Sequence, residues 1–226
     1  MNKSFQRKIV LFLLFLSAYI TNSTAQSVQD ISGKVYQVKS AENITGTALL
    51  FPEFLNGEIR FNNQKEVKGL LLNYDALNNV LLFKNAAGEI RETTGQVESF
   101  KIYHATNNNN ALTLFRSGFG KILDFSSNAF YEVLYDGKST LLKKVNKYQI
   151  EKTGYGAGVK EFEIKEKEFY FIYKNGKLIQ VSKNQKSILT SLADKREALE
   201  KFIQENKINL KNEQEIVKVL TFYDQL

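Results

Sequence analysis

Cysteine and tryptophan are absent from this 226-residue sequence, and proline, histidine and methionine occur once each. Without cysteine the chain forms neither disulfides nor thiolate metal sites, so its core alone must hold it folded. One histidine, His104, restricts histidine-base hydrolysis and zinc chemistry to that residue. Its sequence neighbours are Tyr103 and a run of asparagines, which reads as a solvated loop position. The lone Pro52 excludes a proline-rich linker, and the lack of tryptophan excludes a tryptophan platform for sugars.

Long apolar runs are also scarce. The one at residues 9–20 (IVLFLLFLSAYI) follows Lys3, Arg7 and Lys8 and precedes the small residues Ser23, Thr24 and Ala25. It is shorter than the roughly 20 residues a spanning helix needs. The pattern predicts a signal peptide over 1–25, cleaved before Gln26, and an exported protein of the periplasm, outer membrane or cell surface. No cysteine follows the run, so a lipid-anchored form is excluded. No later segment can cross a membrane as a helix. Three of the 31 Lys and Arg lie in the leader, leaving 28 against 24 acids, and these are interspersed. That pattern argues against a nucleic-acid partner.

What is present is β-forming sequence. Asn175-Gly176 between two apolar runs is the strongest signal: a type I′ turn pairing Tyr173 with Leu178 and Tyr170 with Val181. Phe169, Phe171, Tyr173 and Leu178 then share one face, and Tyr170, Ile172, Ile179 and Val181 the other. Both faces are apolar, so a sheet should cover one and a C-terminal helix the other. Asp136-Gly137 predicts a second two-residue hairpin. Alternating segments at 33–38, 44–50, 59–61, 66–74 (with Gly69 as a candidate bulge), 80–83, 89–92 and 97–103 form a meander. Further strands are expected at 111–115 and 159–164, with a Lys/Glu turn before the Asn175 hairpin. Near the end the period changes. Asp194 with Glu197, and Asn212 with Glu215, fit capping boxes before two amphipathic helices.

The fold class expected is therefore mainly β, antiparallel meanders and hairpins in two lobes or a sandwich, with two short C-terminal α-helices. Residues 26–105 form the first lobe, the asparagine run at 106–110 the boundary, and 111–226 the second lobe.

Chemical signatures are sparse. Glu161, Glu163, Glu166 and Glu168 alternate with Lys160, Lys165 and Lys167, the polar side of a half-buried strand. The glycine-rich segments at 117–120 and 154–158 lack the following helix that a phosphate loop needs. No catalytic, metal or cofactor residue is assigned. Tyr131, Val133 and Tyr135 share a face by alternation, and Tyr155 lies in a glycine-rich loop. Tyr131, Tyr135 and Tyr155 are thus the candidate contacts for a partner protein or a surface glycan.

Phe51-Pro52-Glu53-Phe54-x-x-Gly57 and Leu72-Asn73-Tyr74-Asp75 resemble β-rich secreted proteins of Bacteroidota envelopes. Phe100-Lys101-Ile102, Tyr155-Gly156 and Asn206-Lys207-Ile208-Asn209 fit the same pattern. The resemblance implies an exported β-rich protein and carries over no catalytic residues. The expected function is a non-enzymatic envelope protein binding a partner protein or surface glycan. A carboxylate-dependent hydrolase of envelope polysaccharide, or a purely structural component, is the alternative.

Overall fold

The computed structural model describes residues 31, 33–36, 43–104, 111–152 and 160–226. The leader at 1–25, the asparagine run and Tyr155 lie outside the described residues. The protein is mainly β, built on one twelve-stranded sheet with short helices packed on one side of it.

The strands are β1 (Gly33–Val35), β2 (Ile44–Thr45), β3 (Leu55–Phe61), β4 (Glu66–Asp75), β5 (Val80–Lys84), β6 (Ile90–Thr93), β7 (Val97–His104) and β8 (Ala111–Arg116). They continue with β9 (Tyr131–Asp136), β10 (Thr140–Lys152), β11 (Glu161–Lys174) and β12 (Lys177–Val181). Their order is β1-β6-β5-β4-β3-β7-β8-β9-β10-β11-β12, and β2 pairs parallel with β11. Flanking the asparagine run, β7 and β8 are hydrogen-bonded neighbours, so the sheet continues from one half of the chain into the other.

The first half of the sheet is rolled. Neighbouring strands lie about 4.8 Å apart, and β3 and β7 separate β4 from β8. Yet the Tyr74 ring on β4 is 6.4 Å from the Phe115 ring on β8 and 5.9 Å from that of Phe130. Rolling buries Ile59, Leu72, Tyr74, Leu81, Phe100 and Ile102 around one core. Gly69, at φ +71°, is the extra residue of a bulge: Gly57 pairs with Leu70 and Glu58 with Lys68.

The β11–β12 hairpin has the expected register, Tyr170 opposite Val181 and Tyr173 opposite Leu178. Asn175 and Gly176 both take positive φ, as a type I′ turn demands. Its Tyr170–Ile172–Val181 face packs under helices α1 (Gln185–Ser191), α2 (Arg196–Glu205) and α3 (Glu213–Gln225) through Ile188, Leu199, Ile216 and Leu220. The other face is covered by Phe119, Ile122 and Phe125 from the segment joining β8 to β9, where a sheet was expected.

Other expectations are revised. No turn occurs at 165–168. β11 runs on for fourteen residues because β10 pairs along thirteen of them, with Lys147 and Lys152 of β10 ion-paired to Glu166 and Glu163 of β11. Helix α1 was not foreseen. Its cap is Asn184, which accepts the Ser187 N–H. Asp194 does not cap α2. A 3-10 turn at Ala193–Lys195 intervenes, and Asp194 instead binds Lys174 and Tyr223. Asn212 does cap α3, accepting the Gln214 N–H at 2.8 Å.

Asp136-Gly137 closes a three-residue loop, with Asp136 opposite Thr140. The reason is tertiary. Asp224 of α3 docks into this loop, accepting from the Ser139 N–H and hydroxyl and from the Tyr135 hydroxyl at 3.0 Å. A Cβ on Gly137 would come within 2.2 Å of the Asp224 carboxylate. Replacing Asp224 with Ala strands these donors, and we expect a loss of about 2 kcal/mol in urea unfolding. An unchanged midpoint would show that the latch contributes nothing.

Candidate functional site

Asp75, at the end of β4, is fully buried. An isolated carboxylate there would be costly, so its oxygens must find donors. Oδ1 accepts the N–H groups of Leu77 (3.0 Å) and Asn78 (2.8 Å), and Oδ2 accepts the Asn78 amide at 2.7 Å. This Asx turn folds the β4–β5 connection, which Asn79 completes at φ +59°. The Tyr36 hydroxyl, one residue beyond edge strand β1, donates to the same Oδ2. Burial first, then the Asp75 bond and charge, push the Tyr36 hydroxyl well above its ordinary pKa, so it stays protonated.

On the opposite side, β10 supplies Lys147, only 8% exposed. Its ammonium donates to the carbonyls of Thr47 (3.0 Å) and Leu49 (2.6 Å), holding the strap after β2 against the second half of the sheet. Between the strap, β1, the β4–β5 turn and the ends of β10 and β11 lies a groove of about 710 Å³. That volume suits a ligand or a short peptide segment. Its walls are aliphatic, with Val35, Leu49, Leu77, Val80, Ile90 and Ile164 prominent. Tyr36, Thr47, Asn78, Gln149 and the ion-paired Lys34 and Glu92 are its polar members. Val35 is 62% exposed, and β1 has a strand neighbour on one side only among the described residues.

The tyrosines singled out in the sequence do not form a patch. Leu134 is an extra residue in β9, because Tyr135 pairs with Leu141 and Val133 with Leu142. This bulge reverses the alternation and sends Tyr131 and Tyr135 to opposite faces. Tyr131 is fully buried against Phe119, Phe125 and Phe171, and burial pushes its hydroxyl up to about 12. Tyr135 is half-buried under α3, bonded to Asp224. Tyr155 lies outside the described residues. His104, expected as a solvated loop residue, ends β7 half-buried, its ring edge-on to Phe51 at 5.6 Å and Nε2 2.8 Å from the Thr113 hydroxyl.

Four carboxylates among the described residues are held below their ordinary pKa. Hydrogen bonds from Lys152 hold Glu163 below the usual carboxylate range, and those from Arg91 do the same for Glu89. Burial opposes the Glu58 charge, but bonds from Lys101 and Tyr103 outweigh it. Asp194 is held down by Lys174. Among the described residues no cluster of acids or histidine fits a metal ion, and no helix is long and apolar enough to cross a membrane.

The groove's organising residues were missed in the sequence. Asp75 closes an apolar strand, and Lys147 interrupts another. Charges placed inside such runs were the available signal. No family model, curated protein or solved structure matches the chain. Tyr36→Phe leaves Asp75 one donor short at full burial, so we expect a loss of about 1–2 kcal/mol in urea unfolding with the circular dichroism spectrum retained. No loss would separate β1 from the turn.

Proposed function

We propose that this is an exported, non-enzymatic binding protein that receives an apolar extended segment of a partner protein in the groove beside β1. The observation that carries the reading is the groove's lining: branched aliphatic walls around a few fixed polar groups, opening beside the edge strand. Export is inferred from the leader pattern at 1–25.

A peptide fits better than a glycan. Sugar faces stack on flat aromatic rings, and the groove's one aromatic is Tyr36, whose hydroxyl is already committed to Asp75. Aliphatic walls instead match the side chains of a hydrophobic segment. The hydrolase alternative needs a carboxyl group raised toward neutrality beside an ionised one. The acids displaced among the described residues move the other way, so the binding reading is preferred.

The test is a photo-crosslinking amino acid at Val35, with the exposed Leu112 on β8 as the control position. Crosslinking in intact cells should give a discrete protein adduct at 35 and none at 112. Ala48→Arg, which puts an unpaired charge into the groove, should lower that adduct about tenfold. An adduct insensitive to Ala48→Arg, or no adduct at 35, overturns the reading.

A further inference from the structure

Across the β4–β5 turn from the groove, β10 carries Lys144, 2% exposed. Its Nζ lies 2.7 Å from the Tyr74 hydroxyl and 2.9 Å from Asn79 Oδ1, over the rings of Tyr74 (4.9 Å) and Phe125 (5.9 Å). No ion pair reaches it among the described residues. Lys147, three residues on, has two backbone carbonyls and Glu166 at 3.8 Å.

The groups facing Lys144 are few. Tyr74 comes from β4 and Tyr131 from β9, both kept protonated by burial. Phe169 is opposite on β11, with Lys167 over its outer ring face. Phe125 covers the side chain from the connecting segment, next to the exposed Asp124. Asp75 adjoins Tyr74, with its carboxylate already engaged by the turn and Tyr36. An ammonium here meets rings and neutral dipoles, so desolvation lowers its pKa to about 7.

We propose that Lys144 is a proton-operated tie between β10 and the β4–β5 turn, and that its charge state sets the groove wall made by Leu77, Asn78 and Val80. The biological meaning rests on the groove being the binding site. The Tyr74 hydroxyl donates to Asn79 Oδ1, and Lys144 as a neutral amine donates its two N–H groups to these two oxygens, closing a neutral ring of bonds in an apolar seam. As an ammonium it keeps these two bonds and adds a third N–H and a full charge, for which the seam offers only the ring faces of Tyr74 and Phe125. The seam then holds a charge without a counter-ion, and Asn79 is the last residue of the turn that lines the groove.

The folded pKa is below the unfolded value of about 10.4. The unfolded chain therefore binds more protons between the two, and stability rises with pH across that window and falls as pH drops toward 7. Tyr36, Tyr74 and Tyr170, all raised in the folded state, reverse the slope only where unfolded tyrosine ionises, near pH 10.

Urea unfolding of the wild type, Lys144→Met and Lys144→Arg between about pH 6.5 and 9.5 tests the tie, together with the methyl resonances of Leu77 and Val80. For the wild type the unfolding constant should fall by up to about tenfold per pH unit above 7. Lys144→Met should lack that component, and Lys144→Arg should be destabilised throughout. The Leu77 and Val80 methyls should titrate near neutrality in the wild type alone. Equal slopes in wild type and Lys144→Met, or silent methyls, overturn the proposal. Should Lys144→Met not fold, an ordinary titration of the wild-type Lys144 amine near 10.5 overturns it, and a midpoint near 7 with moving methyls supports it. A missing adduct at position 35 would leave all of these readouts untouched, so the two readings fail separately.

Discussion

A carboxylate with no access to water organises this protein. Asp75 ends a strand whose last residues are all buried, and its carboxyl oxygens are satisfied there because the chain bends back to supply donors. The bend is the β4–β5 turn. The side-chain donor from Tyr36 reaches in from edge strand β1, placing that strand beside the turn. Turn and edge strand are two walls of the groove, so the same electrostatic demand that shapes the loop also shapes the site.

The two halves of the sheet meet at this point through two lysines of one strand, and the difference between them is instructive. Lys147 takes carbonyls and a carboxylate, so its charge is a fastener. Lys144 takes a phenol, an amide oxygen and two ring faces. None of those partners carries a negative charge to hold a cation, which leaves the amine's charge open to the proton concentration. A carboxylate at the Asn79 position would have fixed the charge and removed that freedom.

Local turn chemistry was legible in the sequence where no tertiary contact competes. Asn175-Gly176 set its hairpin register correctly because the turn protrudes and nothing docks on it. Asp136-Gly137 carries the same signal and failed, because Asp224, 87 residues on from Gly137, occupies the space of a tight turn. Gly69 was readable as a bulge. Leu134 was not, since a bulged leucine looks like any strand leucine. That one residue sent Tyr135 to the face opposite Tyr131 and left the anticipated tyrosine face without a basis. The Lys/Glu stretch at 165–168 looked like a turn by composition, and its continuous pairing with β10 makes it a strand. Sequence patterns report propensity, and pairing partners far along the chain decided these cases.

The groove was invisible for the same reason. Its lining comes from β1, the strap after β2, β5, β6, β10 and β11, elements spread over some 130 residues. No segment of it has an unusual composition. Rolling of the first half of the sheet leaves β1 at an edge, and the pairing of β2 with β11 brings the strap across to face it. An edge strand is ordinarily blunted by brevity or charge. β1 has both, three residues and Lys34, yet Val35 beside Lys34 remains exposed. A blunted edge with an apolar residue left uncovered above an aliphatic floor resists indiscriminate strand addition while still offering a seat to a segment that brings its own apolar side chains. That combination is the ground for the binding role proposed above, and it follows from where Asp75 forces β1 to lie.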